Sequence, residues 1–347
     1  MIDLTDLQQI AKIDPADTYK TTSLANEQAK AAWQQVKALD IQPLKEKITS
    51  VIFCGMGASI YGALVLKALK GETLPFPIEI ISDYHIPTYC DKHTLVVLTS
   101  YSGTTEEVLS CAKDAKEKGA QMLVLTKGGP LAEFAKENNV PAYIFDGKLN
   151  LSSTPRLGNG YSVIGLLGLF NKLGIVSINE KEMEDSFAYI DTKIESIKER
   201  ARVDSERLYG QIPVVFAAEH LSGNGQILRN QFNETSKTFS AYYLVPDLNH
   251  HLMEGLQFPE DAHLYFLVLN SQNFSPKITK RMQLTIDVVK QNKQKIMEYM
   301  TNGANVYEDF LEALAYGSWL TLYLGLLYNQ NPAINPWVDW FKKELAK

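Results

Sequence analysis

The sequence predicts an α/β protein of two domains, each a doubly wound parallel sheet flanked by helices. Three observations carry that prediction. Short apolar runs alternate with helical segments every roughly 20–30 residues. Two of the early runs end in turns rich in glycine and hydroxyls, and the alternation begins again in the second half of the chain. At 347 residues, the chain is long enough for two cores of ordinary size.

Asn26–Leu39 reads as a helix within a helical leader, ahead of a first strand at Val51–Cys54. Gly55-Met56-Gly57-Ala58-Ser59 follows as a tight turn, and the apolar-periodic Ile60–Leu69 as a helix. Ile78–Ile81 is a short strand and Thr94–Thr99 a buried one, succeeded by the polar turn Ser100–Thr105 and the helix Glu106–Lys118. A further cycle runs through the strand Gln121–Thr126, the turn Lys127–Pro130 and the helix Leu131–Asn138, and Ala142–Phe145 supplies another strand. Tyr161–Leu173 is apolar enough for a core helix, and the charged stretch Asn179–Asp204 is expected to be a solvated helical connector. The domains are thus expected at residues 1–178 and 205–347, joined by 179–204. The second has strands at Pro213–Ala217, Ala241–Leu244 and Leu264–Leu269, and helices at Gly223–Thr235, Lys277–Asn292 and Tyr307–Tyr328. It lacks a serine-rich turn like that of the first.

Composition narrows the function. A net charge of −6 gives no general attraction to polyanions, and no basic patch suggests a nucleic-acid partner. The longest apolar stretch, Leu311–Tyr328, is interrupted by Glu312, Gly317 and Ser318, which favours a core helix over a membrane span. An early segment bearing Asp3, Asp6, Asp14 and Asp17 is unlike a secretory signal. Cys54, Cys90 and Cys111 form no C-x-x-C pair, so reduced thiols in a cytoplasmic protein are expected.

The two turns carry the chemistry. Glycines at a strand-to-helix junction let backbone amides approach an anion. The first turn has Ile60 where a dinucleotide fingerprint needs its third glycine, and it has no P-loop lysine. The second, Ser100-Tyr101-Ser102-Gly103-Thr104-Thr105-Glu106, sets four hydroxyls around a glycine at the C-terminal end of a parallel strand, where open α/β sheets bind ligands. The competing reading is that these hydroxyls only cap the following helix.

Together the turns resemble the phosphosugar loops of sugar-isomerase (SIS) domains, in particular those of the bifunctional phosphoglucose/phosphomannose isomerases, with Ala58 where the family usually has glycine. The resemblance runs from about Tyr19 to Leu345. It implies two SIS domains and an aldose–ketose isomerase acting on fructose 6-phosphate, with Ser59, Ser100, Ser102 and Thr105 holding the phosphate beside the backbone of Gly55, Gly57 and Gly103. Isomerisation through an enediol needs a base, a group to handle ring protons and a cation near the oxyanion. Asn233-Glu234 followed by Lys237 is similar to the family's Asn-Glu-x-x-Lys segment, which puts the base on Glu234; the residues alone favour a surface carboxylate paired with Lys237. Leu248-Asn249-His250 matches the family's histidine segment, but His251 and Leu252 replace an asparagine and a glutamate, so His251 stays a candidate beside His250. Arg156, in Thr154-Pro155-Arg156-Leu157, takes the place of the family's cation, and Lys342 that of its ring-opening lysine. Asn335 stands where the family commonly has a threonine associated with accepting mannose substrates.

The resemblance further implies a homodimer with shared sites, His250 coming from the partner subunit, and no metal or redox cofactor. Two other outcomes keep the same turns: an amino-sugar-phosphate isomerase/deaminase or fructosamine-6-phosphate deglycase, and a phosphosugar-binding regulator without catalysis.

Overall fold

The computed structural model describes residues 2–260, 262–345 and 347. Three helices lead the chain, α1 (Leu7–Ile13), α2 (Thr18–Ser23) and α3 (Ala25–Ala38). The first sheet is built from β1 (Ser50–Cys54), β2 (Ile78–Ile81), β3 (Thr94–Ser100), β4 (Gln121–Thr126) and β5 (Ala142–Ile144). Its order is β2-β1-β3-β4-β5 and every pairing is parallel, the doubly wound arrangement expected. Helices α4 (Tyr61–Lys70), α5 (Glu106–Glu117) and α6 (Gly129–Glu137) lie in crossovers between its strands, and α7 (Gly165–Lys172) follows the last of them.

Strand alternation assigns the two faces. Val51, Phe53, Leu95 and Val97 join a core with Trp33, Leu66 and Phe170, whereas Ile52, Cys54, Val96 and Leu98 join Val108, Cys111 and Leu131. All three cysteines are buried and free. Cys54 pairs in register with Leu98, so the turns that leave β1 and β3 emerge side by side.

A 29-residue helix, α8 (Glu180–Leu208), leads into the second sheet. It is more than the solvated connector expected: it runs past Asp204, and Met183, Phe187, Ile190, Ile197, Ala201 and Leu208 form a buried stripe packed largely on α11 (Val306–Leu327). The second sheet has the order β7-β6-β8-β9, again all parallel, from β6 (Ile212–Ala217), β7 (Ala241–Leu244), β8 (Leu264–Ser271) and β9 (Lys295–Thr301). Sequence reading did not find β9, an edge strand whose Lys295 and Glu298 are exposed, so its apolar signal is diluted. Helices α9 (Ser222–Glu234) and α10 (Pro276–Gln291) flank this sheet, and α12 (Pro336–Leu345) ends the chain. α11 is long and apolar enough to cross a membrane, but 94% of its apolar window is buried inside the fold, as a core helix requires.

The two units share one continuous core, and their seam is the packing of α4 on α9. Gly223 at the start of α9 lies against the backbone of Leu64 and Val65. This seam brings α9 to the glycine- and hydroxyl-rich turns of the first unit.

Candidate active site

The turn after β1 reverses at Gly57, which has φ +54°, a left-handed conformation glycine adopts without steric cost. Gly103 makes the corresponding reversal after β3 at φ +73°, and a Cβ there would lie 1.8 Å from the Gly128 carbonyl oxygen. Three turns therefore meet at one end of the sheet. The Tyr101 amide donates to Ser59 Oγ at 3.2 Å, tying the first to the second.

The hydroxyls are bonded to one another. Ser100 Oγ lies 2.7 Å from Thr105 Oγ1 and accepts from the Gly103 amide at 3.0 Å, and Ser102 Oγ lies 2.8 Å from Thr104 Oγ1. Thr105 occupies the N-cap of α5, yet its side chain makes no capping bond. The helix-capping alternative thus fails at its most favourable residue. The arrangement leaves a helix N-terminus free of its own side-chain cap beside four hydroxyls that can turn toward an anion.

The analogous crevice of the second unit is filled. Glu219 Oε2 accepts from the Ser275 amide at 2.9 Å and Oε1 from Ser275 Oγ at 2.5 Å, at the start of α10. Beside it, the buried Asp309 accepts from Ser271 Oγ at 2.5 Å and Asn273 Nδ2 at 2.8 Å, with His220 Nε2 at 3.1 Å. Burial raises the Asp309 pKa, but these bonds outweigh it and hold the carboxyl below its ordinary value. The chain's own carboxylates stand where an anion would sit, in keeping with the missing serine-rich turn.

Arg156 and Glu234 meet at the seam. Arg156 lies in a single 3₁₀ turn, Pro155–Leu157, just before a π-helical turn at Gly160–Ile164, and only 1% of it is exposed. Its Nε donates to Thr235 Oγ1 at 3.0 Å, its Nη2 to the carbonyls of Pro332 and Ala333, and its Nη1 to Glu234 Oε2 at 3.4 Å. With the Asn335 amide oriented to satisfy both its ends, its oxygen accepts from Arg156 Nη1 at 3.0 Å and its nitrogen donates to Ile334 O at 3.0 Å. All five guanidinium protons are then committed, and the bond to Glu234 is the longest. Burial lowers the Arg156 pKa and Glu234 opposes that shift; a guanidinium stays charged regardless.

Lys237 does not form the surface pair with the Glu234 carboxylate that its spacing allows. Its Nζ donates to the backbone carbonyl of Glu234 and to Ile334 O at 2.6 Å. Burial, then the charge of Arg156, brings its pKa down from 10.5 to about 8. Two cations thus clamp the 332–334 carbonyls against the end of α9. Tyr61, the first residue of α4, completes the setting: it is fully buried, and its hydroxyl has no hydrogen-bond partner. Neither Tyr61 nor the carbonyl clamp has a signature in the sequence; Lys237 has one only as a helix neighbour.

Three candidate residues are not brought to this site within the chain. His250, in the 3₁₀ turn Asp247–His250, is exposed and follows the C-terminal end of β7. α9 leaves the C-terminal end of β6 and returns over 13 residues, about 20 Å, so Glu234 lies toward the opposite end of that sheet. His251 Nε2 is 3.5 Å from Asp247 Oδ2 and also exposed. Lys342 lies on α12, which has no buried residue, although the 331–335 segment before it is held in the site. Among the described residues no group of three His, Cys, Asp or Glu is placed to hold a metal.

Two parallel sheets of this kind, with hydroxyl turns at the C-terminal ends of the first, define a protein with two SIS domains. Family models agree: the SIS domain matches residues 45–144, and the bacterial phospho-glucose isomerase C-terminal SIS domain matches residues 197–345. A bifunctional phosphoglucose/phosphomannose isomerase of Caldicellulosiruptor bescii is 28% identical over 92% of this chain and 96% of its own. One from Aquifex aeolicus is 28% identical over 91% and 94%. Among solved structures, a glucosamine-6-phosphate deaminase of Thermotoga maritima superposes with a TM-score of 0.68 at 15% identity, covering 91% of this chain and 97% of that one. That likeness concerns fold alone. Over most of its length the chain is thus similar to bifunctional phosphoglucose/phosphomannose isomerases.

Proposed function

We propose that this chain interconverts fructose 6-phosphate and glucose 6-phosphate by proton transfer on Glu234. The observation that carries the reading is the Arg156–Glu234 pair, seated at the seam beside the hydroxyl turns: a carboxylate, a cation and a phosphate cradle in one place. Ser59, Ser100, Ser102 and Thr105, with the backbone at Gly55, Gly57 and Gly103, anchor the phosphate. The Glu234 carboxylate removes a proton from C1 of the open-chain ketose. The C–H electron pair becomes the C1–C2 double bond, and the C2 carbonyl oxygen takes the negative charge. A proton then passes from the C1 hydroxyl to the C2 oxygen, so the charge moves to the C1 oxygen; as Glu234 returns its proton to C2, the C1 oxyanion re-forms a carbonyl and the aldose is complete.

Arg156 steadies the enediolate by exchanging its long bond to Glu234 for the developing oxygen, its other donors being shorter and tied to the fold. Ring opening falls to Lys342 and to the partner subunit's His250, in a homodimer whose sites are shared. The separation of His250 and Glu234 within one chain and the exposed Phe258, Trp337, Trp340 and Phe341 favour that assembly. A soluble cytoplasmic enzyme accommodates three reduced, buried thiols. Mannose 6-phosphate is a second product candidate, and Asn335 is placed to decide it because it touches Arg156.

The test is turnover of a panel of sugar phosphates with free ammonia and amino acid monitored. Glucose 6-phosphate from fructose 6-phosphate is expected. Ammonia from glucosamine 6-phosphate, or binding without turnover, would replace this reading with the deaminase or the regulator.

A further inference from the structure

A buried hydroxyl without a partner is uncommon, because it forfeits the hydrogen bonds it made with water. Tyr61 carries such a group at a telling position. It is the first residue of α4, two residues beyond Ser59, and α4 is the helix that packs on α9 at the seam. Its ring is fully buried. The charged groups facing it come from each element packed there: Glu234 and Arg229 from α9, and Arg156 from the turn before the π-helical segment. Lys237, beyond the end of α9, faces the same carboxylate and guanidinium. Asn230 lies beside the phenol and favours its ionised form, although the hydroxyl has no partner at hydrogen-bond geometry. Burial and the Glu234 charge both push the phenol pKa up, so Tyr61 stays protonated and offers a neutral donor.

The arithmetic of Arg156 gives that donor a task. When the guanidinium turns its Nη1 proton to the substrate, Glu234 loses the one side-chain bond recorded to its carboxylate among the described residues. A base left without a partner in a partly buried site is free to swing, and misplacement by about 1 Å can cost 10²-fold in rate. We propose that Tyr61 is a positioning residue for Glu234, its hydroxyl donating to the carboxylate once substrate has drawn Arg156 away. The inference rests on the isomerase reading above.

Tyr61→Phe tests it in the full-length protein, with fructose 6-phosphate as substrate. Because the hydroxyl has no partner in the resting chain, the variant is expected to unfold at the same temperature as the wild type or higher. KM should change less than about 2-fold and kcat fall roughly 10-fold, as loss of a bond to a charged group implies. A donor to the carboxylate favours its ionised form, so its removal moves the acid limb of the kcat profile to higher pH. A packing role leaves that limb in place. Should Tyr61→Phe not fold, 3-fluorotyrosine at position 61, a more acidic donor, is expected to move the limb to lower pH. Wild-type kcat and an unmoved limb in Tyr61→Phe, or an unmoved limb with 3-fluorotyrosine, overturns the inference while the isomerase reading stands. A wild-type protein that does not isomerise overturns both.

Discussion

Arg156 Nη1 lies 3.4 Å from Glu234 Oε2, an ion pair that joins the first SIS unit to the end of a helix of the second. The partners are unequal: the arginine side chain is 1% exposed and the glutamate 31%. Arg156 therefore belongs to the framework, and Glu234 is the partner that solvent reaches.

That inequality predicts opposite effects of their substitution. Arg156→Met leaves the Thr235 hydroxyl and the carbonyls of Pro332 and Ala333 without their donor, at about 1–3 kcal/mol for each group left unsatisfied, so a loss of about 3 kcal/mol or more is expected in urea unfolding. Glu234→Gln keeps an acceptor at a half-exposed position and should cost less than about 1 kcal/mol, while turnover falls by about 10²–10⁴. A Glu234→Gln protein that unfolds early but retains turnover would reverse the assignment.

The hydroxyl turns predict a defect in affinity. Ser100→Ala or Thr105→Ala should raise KM for fructose 6-phosphate by roughly 10–100-fold, with a smaller change in kcat, as removal of one bond to a charged phosphate implies. Since Thr105 makes no capping bond, Thr105→Ala should leave the unfolding temperature nearly unchanged. A large stability loss with unchanged KM would return the turn to a capping role.

Lys237 predicts a pH dependence of stability. The folded chain releases this proton near pH 8 and the unfolded chain near 10.5. Between those values the unfolded state binds more protons, so the contribution of Lys237 to stability rises with pH across that window. Unfolding free energies of wild type and Lys237→Met, compared at pH 7 and pH 10, should move in favour of the wild type at the higher pH. A constant difference would mean that the amine titrates normally.

Shared sites predict complementation. His250→Ala and Glu234→Gln should each be nearly inactive alone. Random mixing and reassociation should restore about a quarter of wild-type activity, because half the dimers are mixed and each mixed dimer holds one intact site. No recovery, with subunit exchange verified by mass spectrometry, argues for His250 acting in its own chain or not at all.

Asn335 predicts an effect on epimer choice. Asn335→Thr shortens the side chain beside Arg156 and should raise the initial ratio of mannose to glucose 6-phosphate formed from fructose 6-phosphate about 5-fold, the scale of one polar contact. An unchanged ratio would place the choice elsewhere.

Legibility in the sequence followed the range of the forces involved. The buried strands at Thr94–Ser100 and Gln121–Thr126, and the turns behind Gly57 and Gly103, were readable because apolar runs and glycine punctuation are local. β9 was not, because an edge strand alternates Lys295 and Glu298 with apolar residues. The stripe of α8 was hidden by a charged average, although Phe187, Ile190, Ile197 and Ala201 recur at helical spacing. The hydroxyls of the Ser100–Thr105 turn were legible as a cluster. The Arg156–Glu234 pair spans 78 positions and was reached through family resemblance. Tyr61 and the 332–334 carbonyls had no signal, since an aromatic opening a helix reads as packing and a carbonyl belongs to every residue.

The central claim is that Glu234 carries a proton between C1 and C2 beside an anchored phosphate. Its most direct measurement is fructose 6-phosphate incubated with the protein in deuterated water, the aldose product being read by NMR at C2. Deuterium at C2 in the product of the wild type, with product and exchange both lost in Glu234→Gln, is the predicted result. Full turnover with deuterium at C2 in Glu234→Gln would contradict it and move the base to another residue.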